Sequence, residues 1–194
     1  EVIRVGAGDD RHRQASVQRG ETLLDAVEDP DPLSYRHLVV SIALLSKPLT
    51  LLGAAVLEHL EDAGYTVVPL GDVVAAIRGE AELPARAVVI TVDDAYLSVY
   101  EEAYPRLKAR GYPFTIFVAT DTVDAGRETY MTWSQMRAME EGGATFANHG
   151  SSHRSFVEWP GVVSEIDRLA RVRADIEHAE GRLAEELQPL LGVL

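Results

Sequence analysis

Two adjacent carboxylates, Asp93 and Asp94, and two imidazoles four residues apart, His149 and His153, are the groups in this chain best placed to do chemistry. The sequence has no cysteine, so thiolate metal sites, cysteine nucleophiles and disulfides are all excluded, and any metal must use His, Asp or Glu. Two His and one carboxylate, with positions left for water and substrate, make up a catalytic zinc site, and the same set suits other divalent transition metals. A second carboxylate next to the ligand could handle a proton while its neighbour holds the ion. Each half has a plainer reading, since Asp is a ready turn former and a His-x-x-x-His spacing arises often without a ligand. The two halves together carry the argument.

The elements around them decide whether the halves can meet. Ala87-Val88-Val89-Ile90-Thr91-Val92 is almost wholly apolar with a β-branched centre, the pattern of a strand buried on both faces, and it stops at the two aspartates. Asp93 and Asp94 therefore sit at a strand's C-terminal end, the edge where parallel sheets and α/β barrels bind ligands. Neighbouring side chains there diverge, so the two acids can hold different roles. A later strand, Ala144 to Ala147, delivers Asn148-His149, and sheet order brings His149 out on the same edge as Asp94.

The rest of the chain alternates strand and helix patterns. His37 to Leu45 reads as a buried strand, followed by a helix capped by Thr50, with Val56, Leu57, Leu60 and Ala63 on one face and Gly64 closing it. A strand at Tyr65 to Val68 precedes a helix from Val73 to Arg78 capped by Asp72. Tyr100, Ala103, Tyr104 and Leu107 mark a helix that Pro105 should bend and Gly111 end. Phe114 to Val118 is a strand, and Thr132 with Gln135 forms a capping box opening a helix to Glu141. A charged helix from Val163 to Leu187 has Ile166, Leu169, Ala170, Ile176, Leu183 and Leu187 as its apolar positions. This order predicts an α/β fold with mostly parallel strands. Residues 1–34 are expected to be an irregular lead-in and 35–194 the domain proper.

Composition narrows the partners. The chain of 194 residues has 31 acids against 18 Lys and Arg, a formal net charge of −13. Nucleic acid needs a basic surface and is not expected; a neutral substrate suits this field better than an anionic one. The longest apolar candidate, Leu38 to Leu52, is broken by Ser41, Ser46, Lys47 and Pro48, so no transmembrane segment is expected. Glu1 in place of an initiator methionine suggests a processed or trimmed chain.

Thr91-Val92-Asp93-Asp94-Ala95-Tyr96 followed by His149-Gly150-Ser151-Ser152-His153 resembles the polysaccharide deacetylase family, the NodB-like carbohydrate esterases, whose motifs are Thr-Phe-Asp-Asp-Gly and His-(Ser/Thr)-x-x-His. The likeness runs from about Pro48 through the last helix, and Pro84 through Lys108 looks most like the poly-N-acetylglucosamine deacetylases of exopolysaccharide and biofilm. The resemblance implies a distorted (β/α) barrel of the NodB type and a metal-dependent hydrolase that removes N-acetyl groups from sugar polymers. Asp94, His149 and His153 would hold the metal, usually zinc, with cobalt or nickel as alternatives. Asp93 would be the general base for a metal-activated water attacking the acetamide. The implied location is extracellular, periplasmic or at the cell envelope, and the implied partner is an N-acetylated polysaccharide. Chitin oligomers, peptidoglycan and acetylated xylan remain open as substrates.

The departures are specific. Val92 replaces the motif's Phe, Ala95 its Gly, Gly150 its Ser or Thr, and Arg154 a common Pro. Ala95 is harmless only where the backbone avoids positive φ, and Gly150 leaves the histidine loop either looser or steadied by Ser151 or Asn148. The family's later Arg-Pro-Pro-aromatic and Leu-x-His segments, which would supply oxyanion and acid groups, have no match before Leu194, so the barrel is expected to be incomplete at its C-terminal end. Two other readings stand beside the enzyme: a degenerate barrel that binds metal and glycan without turnover, and a hydrolase of small cyclic amides. Trp133, Trp159 and Tyr96 could stack on sugar rings or simply pack. His59 and His178 are expected to be solvated, and Tyr35-Arg36-His37 loosely matches a Tyr-His strand of the family.

Overall fold

The computed structural model describes residues 2–6, 37–43, 49–156, 161 and 164–187, with side chains from residue 55 onward within those ranges. Its centre is β4 (Ala87–Asp93), which follows β1 (Val2–Gly6), β2 (His37–Ala43) and β3 (Thr66–Val67); β5 (Thr115–Val118) and β6 (Thr145–Asn148) come after it. Every strand pair is parallel, in the order β1-β2-β4-β5-β6, with β3 also on β4. Val88, Val89, Ile90 and Val92 of β4 are at most 1% exposed, as a strand covered on both faces requires. Each such burial contributes about 1.5–3 kcal/mol.

The register on β4 matters for the site. β2 runs along one edge from Ala87 to Val92. On the opposite edge β3 takes only Ala87 and Val88, and β5 joins higher up, from Thr91 to Asp93. β5 therefore lies beside the strand end that carries the acids. β6 continues beyond β5, pairing Val118 with Asn148, so the residue after Asn148 leaves the sheet on that same edge.

Among the described residues the α-helices are α1 (Leu49–Asp62), α2 (Leu70–Ile77), α3 (Tyr104–Arg110), α4 (Thr120–Asp124), α5 (Trp133–Glu140) and α6 (Glu165–Glu186). Thr132 and Gln135 form the expected capping box on α5. Other expectations shift. Thr50 and Asp72 lie inside the first turns of α1 and α2, not at their caps, because α2 starts earlier, at the extended Pro69. The bend expected at Pro105 takes the form of a π-helical turn at Val99–Ala103, with the Tyr104 amide bonded back to Val99 O. Proline cannot donate to the ladder, and the wider turn just before it absorbs the break. α4 was not foreseen. Val2–Gly6, expected within an irregular lead-in, forms the edge strand beside β2.

α6 turns inward only part of its apolar set, Leu183 and Leu187, and completes its buried face with Asp175 and Ala179. Asp175, Ala179, Leu183 and Leu187 are buried at a spacing of four, whereas Ile166 is 81% and Leu169 60% exposed. Ala170 is exposed too, and Ile176 only half-buried. The C-terminal half is fixed by polar contacts: Arg182 donates to both oxygens of Asp124 on α4, and Trp133 Nε1 donates to Asp124 Oδ1 at 2.8 Å. Arg137 of α5 pairs with Glu186. No helix among the described residues is long and apolar enough to cross a membrane.

Candidate metal centre

Asp93 ends β4 in extended backbone, and the next two residues enter the left-handed region, Asp94 at φ 74° and Ala95 at φ 53°. Asp tolerates this region better than most residues; Ala does so at a cost of about 1–2 kcal/mol. The condition under which Ala95 would be harmless is therefore not met, and the strain is held by burial: Ala95 is fully buried, and its carbonyl accepts from Met131 N at 2.9 Å.

One strand holds both halves of the site. Phe117 O accepts from Asp94 N at 2.9 Å, and the adjacent Val118 O accepts from His149 N at 3.0 Å. β5 thus places the first motif on one side and the second on the other by consecutive carbonyls.

The turn after β6 is tied down from two directions. From α4, Thr120 N and Asp121 N donate to Gly150 O and Ser151 O at 3.3 and 3.0 Å. From α6, the buried Asp175 accepts from Ser151 N and Ser151 Oγ, each at 2.9 Å, and from Ser152 N at 3.0 Å. Burial opposes ionisation of Asp175, but the Ser152 and Ser151 donors outweigh it and hold its pKa below the ordinary carboxylate value. Asn148 Oδ1 accepts from Gly150 N at 2.7 Å, while its Nδ2 donates to Ile176 O and Glu180 Oε2. Gly150 has φ 77°, and a Cβ there would stand 2.5 Å from Asp175 Oδ2. The departure from Ser or Thr is thus required by the close approach of α6. Asn148 and Ser151 steady the loop as expected; Asp175 was missed, because a carboxylate at an inward helix position breaks the amphipathic pattern that sequence reading relies on.

These constraints bring the ligand atoms together. Asp94 Oδ1 lies 2.8 Å from His153 Nε2 and 3.2 Å from His149 Nε2, and the three groups offer donor atoms within 4.8 Å of one another. Asp94 is largely buried, its Oδ1 is shielded from solvent, and it makes no well-aligned hydrogen bond. Bonds of about 2.0–2.2 Å to one ion would leave donor atoms roughly 2.8–3.6 Å apart. The spacing and the orphaned buried oxygen fit a divalent cation. Burial works against the charge on Asp94, but the two imidazoles more than offset it, so its pKa lies well below the usual range. Conversely, contact with Asp94 raises His153 above the ordinary imidazole value against the effect of burial, with Asp93 adding to the rise.

The other candidates separate. Tyr96, beside the centre, stacks on Tyr130 with ring centroids 4.8 Å apart, and burial and that partner raise its pKa. Trp133 donates to Asp124 and lies under the Arg182 guanidinium, an anchoring role. His178 is exposed, whereas His59 is half-buried with Nε2 shielded from solvent. Arg154 is exposed, and His37 opens β2. His12, Tyr35 and Trp159 lie outside the described residues.

Residues 80–189, more than half of the chain, match the family model for polysaccharide deacetylase. The chain is 33% identical over 91 residues to the poly-beta-1,6-N-acetyl-D-glucosamine N-deacetylase of Escherichia coli K12, covering 40% of this chain and 14% of that one. It is 29% identical over 97 residues to YxkH of Bacillus subtilis, covering 50% and 34%. It therefore spans about a third or less of these relatives. Among solved structures, IcaB from Ammonifex degensii superposes with a TM-score of 0.65 at 26% identity, over 77% of this chain and 68% of that one. The BpsB deacetylase domain from Bordetella bronchiseptica gives 0.63 at 23% identity, over 81% and 78%. With its paired acids and paired imidazoles set at one edge of the parallel sheet, the chain belongs to the polysaccharide deacetylase family and has the α/β scaffold of its NodB-like domains.

Proposed function

We propose that this chain removes N-acetyl groups from N-acetylglucosamine-containing polysaccharide, using a divalent cation held by Asp94, His149 and His153, with Asp93 as general base. The observation that carries the proposal is the convergence of Asp94 Oδ1 on both Nε2 atoms at 2.8 and 3.2 Å, with Asp93 next in the chain. A bound cation would supply Lewis acidity, making water more acidic and a carbonyl more electrophilic. Zinc is the first choice by ligand type, with cobalt or nickel as substitutes. Asp93 takes the proton as water adds to the acetamide carbonyl. Cleavage of the C–N bond, with that proton passed on to the departing nitrogen, then gives acetate and the sugar amine.

Several features support the substrate class. One relative is named for poly-beta-1,6-N-acetyl-D-glucosamine. The acidic chain suits a neutral polymer that becomes cationic as acetyl groups leave. We assign the activity to the domain running from 35 to 194 together with the strand Val2–Gly6 that joins its sheet, acting outside the cytoplasm or at the cell envelope, where such polymers lie.

The test is acetate release from β-1,6-N-acetylglucosamine oligomers, with chitin oligomers and small cyclic amides alongside. Wild type should release acetate, and Asp93→Asn should lose about 10²–10⁴-fold in rate while binding the cation unchanged. Cation binding without acetate from any substrate would make the chain a glycan-binding relative, and turnover of the cyclic amides alone would reassign the substrate.

A further inference from the structure

The geometry points to Asp175, on α6, as the residue that positions both imidazoles for the cation. This inference rests on the metal reading above and adds a residue that touches no ligand atom. Neither His149 nor His153 is placed by the sheet alone: His149 is the first residue beyond β6, and His153 lies four further along a turn that includes Gly150 and His153 at positive φ. Such a turn has few intrinsic preferences and must be held from outside. Asp175 accepts three hydrogen bonds from Ser151 and Ser152, the residues midway between the two imidazoles. It is 6% exposed, and its own element is fastened to α4 and α5 through Arg182, Asp124, Glu186 and Arg137.

Charge-assisted bonds to a fixed carboxylate are the stronger kind, and two of these three donors are main-chain amides, so they set the path of the chain itself. The Gly150 amide, one residue earlier, is taken by Asn148, which also bonds Ile176 O and Glu180 on the same helix. α6 therefore works as a template for the turn, and the cation finds both imidazoles already facing Asp94. Groups that orient metal ligands in this way typically change metal affinity by about 10–100-fold when removed.

The experiment titrates Co²⁺ into the whole chain and follows its visible absorption, with the melting temperature of the metal-free protein measured in parallel. Asp175→Asn should weaken Co²⁺ binding about tenfold or more and alter the absorption band. Ser151→Ala, which removes one of the three bonds, should weaken it less. Leu107→Ala, a core truncation on α3, should lower the melting temperature and leave Co²⁺ affinity within about twofold. Wild-type affinity and spectrum in Asp175→Asn, or equal weakening in Leu107→Ala, would overturn the positioning role while the metal centre stands. A wild-type protein that binds no Co²⁺ would overturn both.

Discussion

Gly150→Ala tests the closest approach in the site. The backbone there has φ 77°, and the new methyl would fall 2.5 Å from Asp175 Oδ2, where ordinary contacts begin near 3.4 Å. The left-handed conformation alone costs alanine about 1–2 kcal/mol, partly offset by about 0.4–1 kcal/mol from the stiffer unfolded chain. The methyl must also displace a carboxylate oxygen that accepts from Ser151 N, and a hydrogen bond to a charged group contributes about 1.5–3 kcal/mol. Together these give a loss of about 2–4 kcal/mol, or roughly 4–16 °C in melting temperature for a chain of this size. Gly143→Ala is the control: its φ is 94°, but a Cβ there meets nothing within 4 Å, so only the backbone effect of about 1 kcal/mol remains. Thermal melts of the metal-free variants should therefore separate the two. In an Asp175→Ala background, Gly150→Ala should cost no more than the control. Equal melting temperatures for the two glycine variants in the parent chain would refute the close packing of α6 on the turn, and the template argument with it.

Other outcomes follow from the same geometry. His153→Gln should weaken Zn²⁺ binding at least a hundredfold by calorimetric titration, because it removes the imidazole 2.8 Å from Asp94 Oδ1. Dialysis against a chelator should abolish acetate release, and added Zn²⁺ should restore it; release that survives chelation would contradict the proposed chemistry. Asp124 has its pKa lowered: burial opposes this, but hydrogen bonds from Arg182 and Trp133 prevail. A carboxyl depressed in the folded state adds stability above its ordinary pKa of 3.8 and loses it as pH falls through the folded value. The melting-temperature gap between wild type and Asp124→Asn should thus be full near pH 6 and shrink below about pH 4; a gap constant down to pH 2.5 would rule out the linkage.

The convergence of Asp94 with His149 and His153 was readable because the two motifs, each ordinary alone, both fall at the same edge of the sheet, and the apolar run of β4 announced its own burial. Elements shaped by contact rather than by period were less visible. α4 is one turn of Thr-Asp-Thr-Val-Asp, too short to show a helical repeat, yet its first amides hold Gly150 and Ser151. On α6 the apolar Ile166 and Leu169 drew the face outward, while the inward position at Asp175 is polar because its partners are amides. The positive φ at Ala95 is equally hidden, since nothing in an alanine signals a left-handed backbone.

The two carbonyls at the end of β5 have a consequence for assembly. Asp94 and His149 lie far apart along the chain, and their nearest shared support is Phe117-Val118. A cation gripped by both, as proposed, would be a rivet through three strands, and its binding energy would be shared by the whole middle of the sheet. Saturating metal should therefore slow amide exchange in β4, β5 and β6 together, while the distant edge at β1 and β2 frays at its own pace.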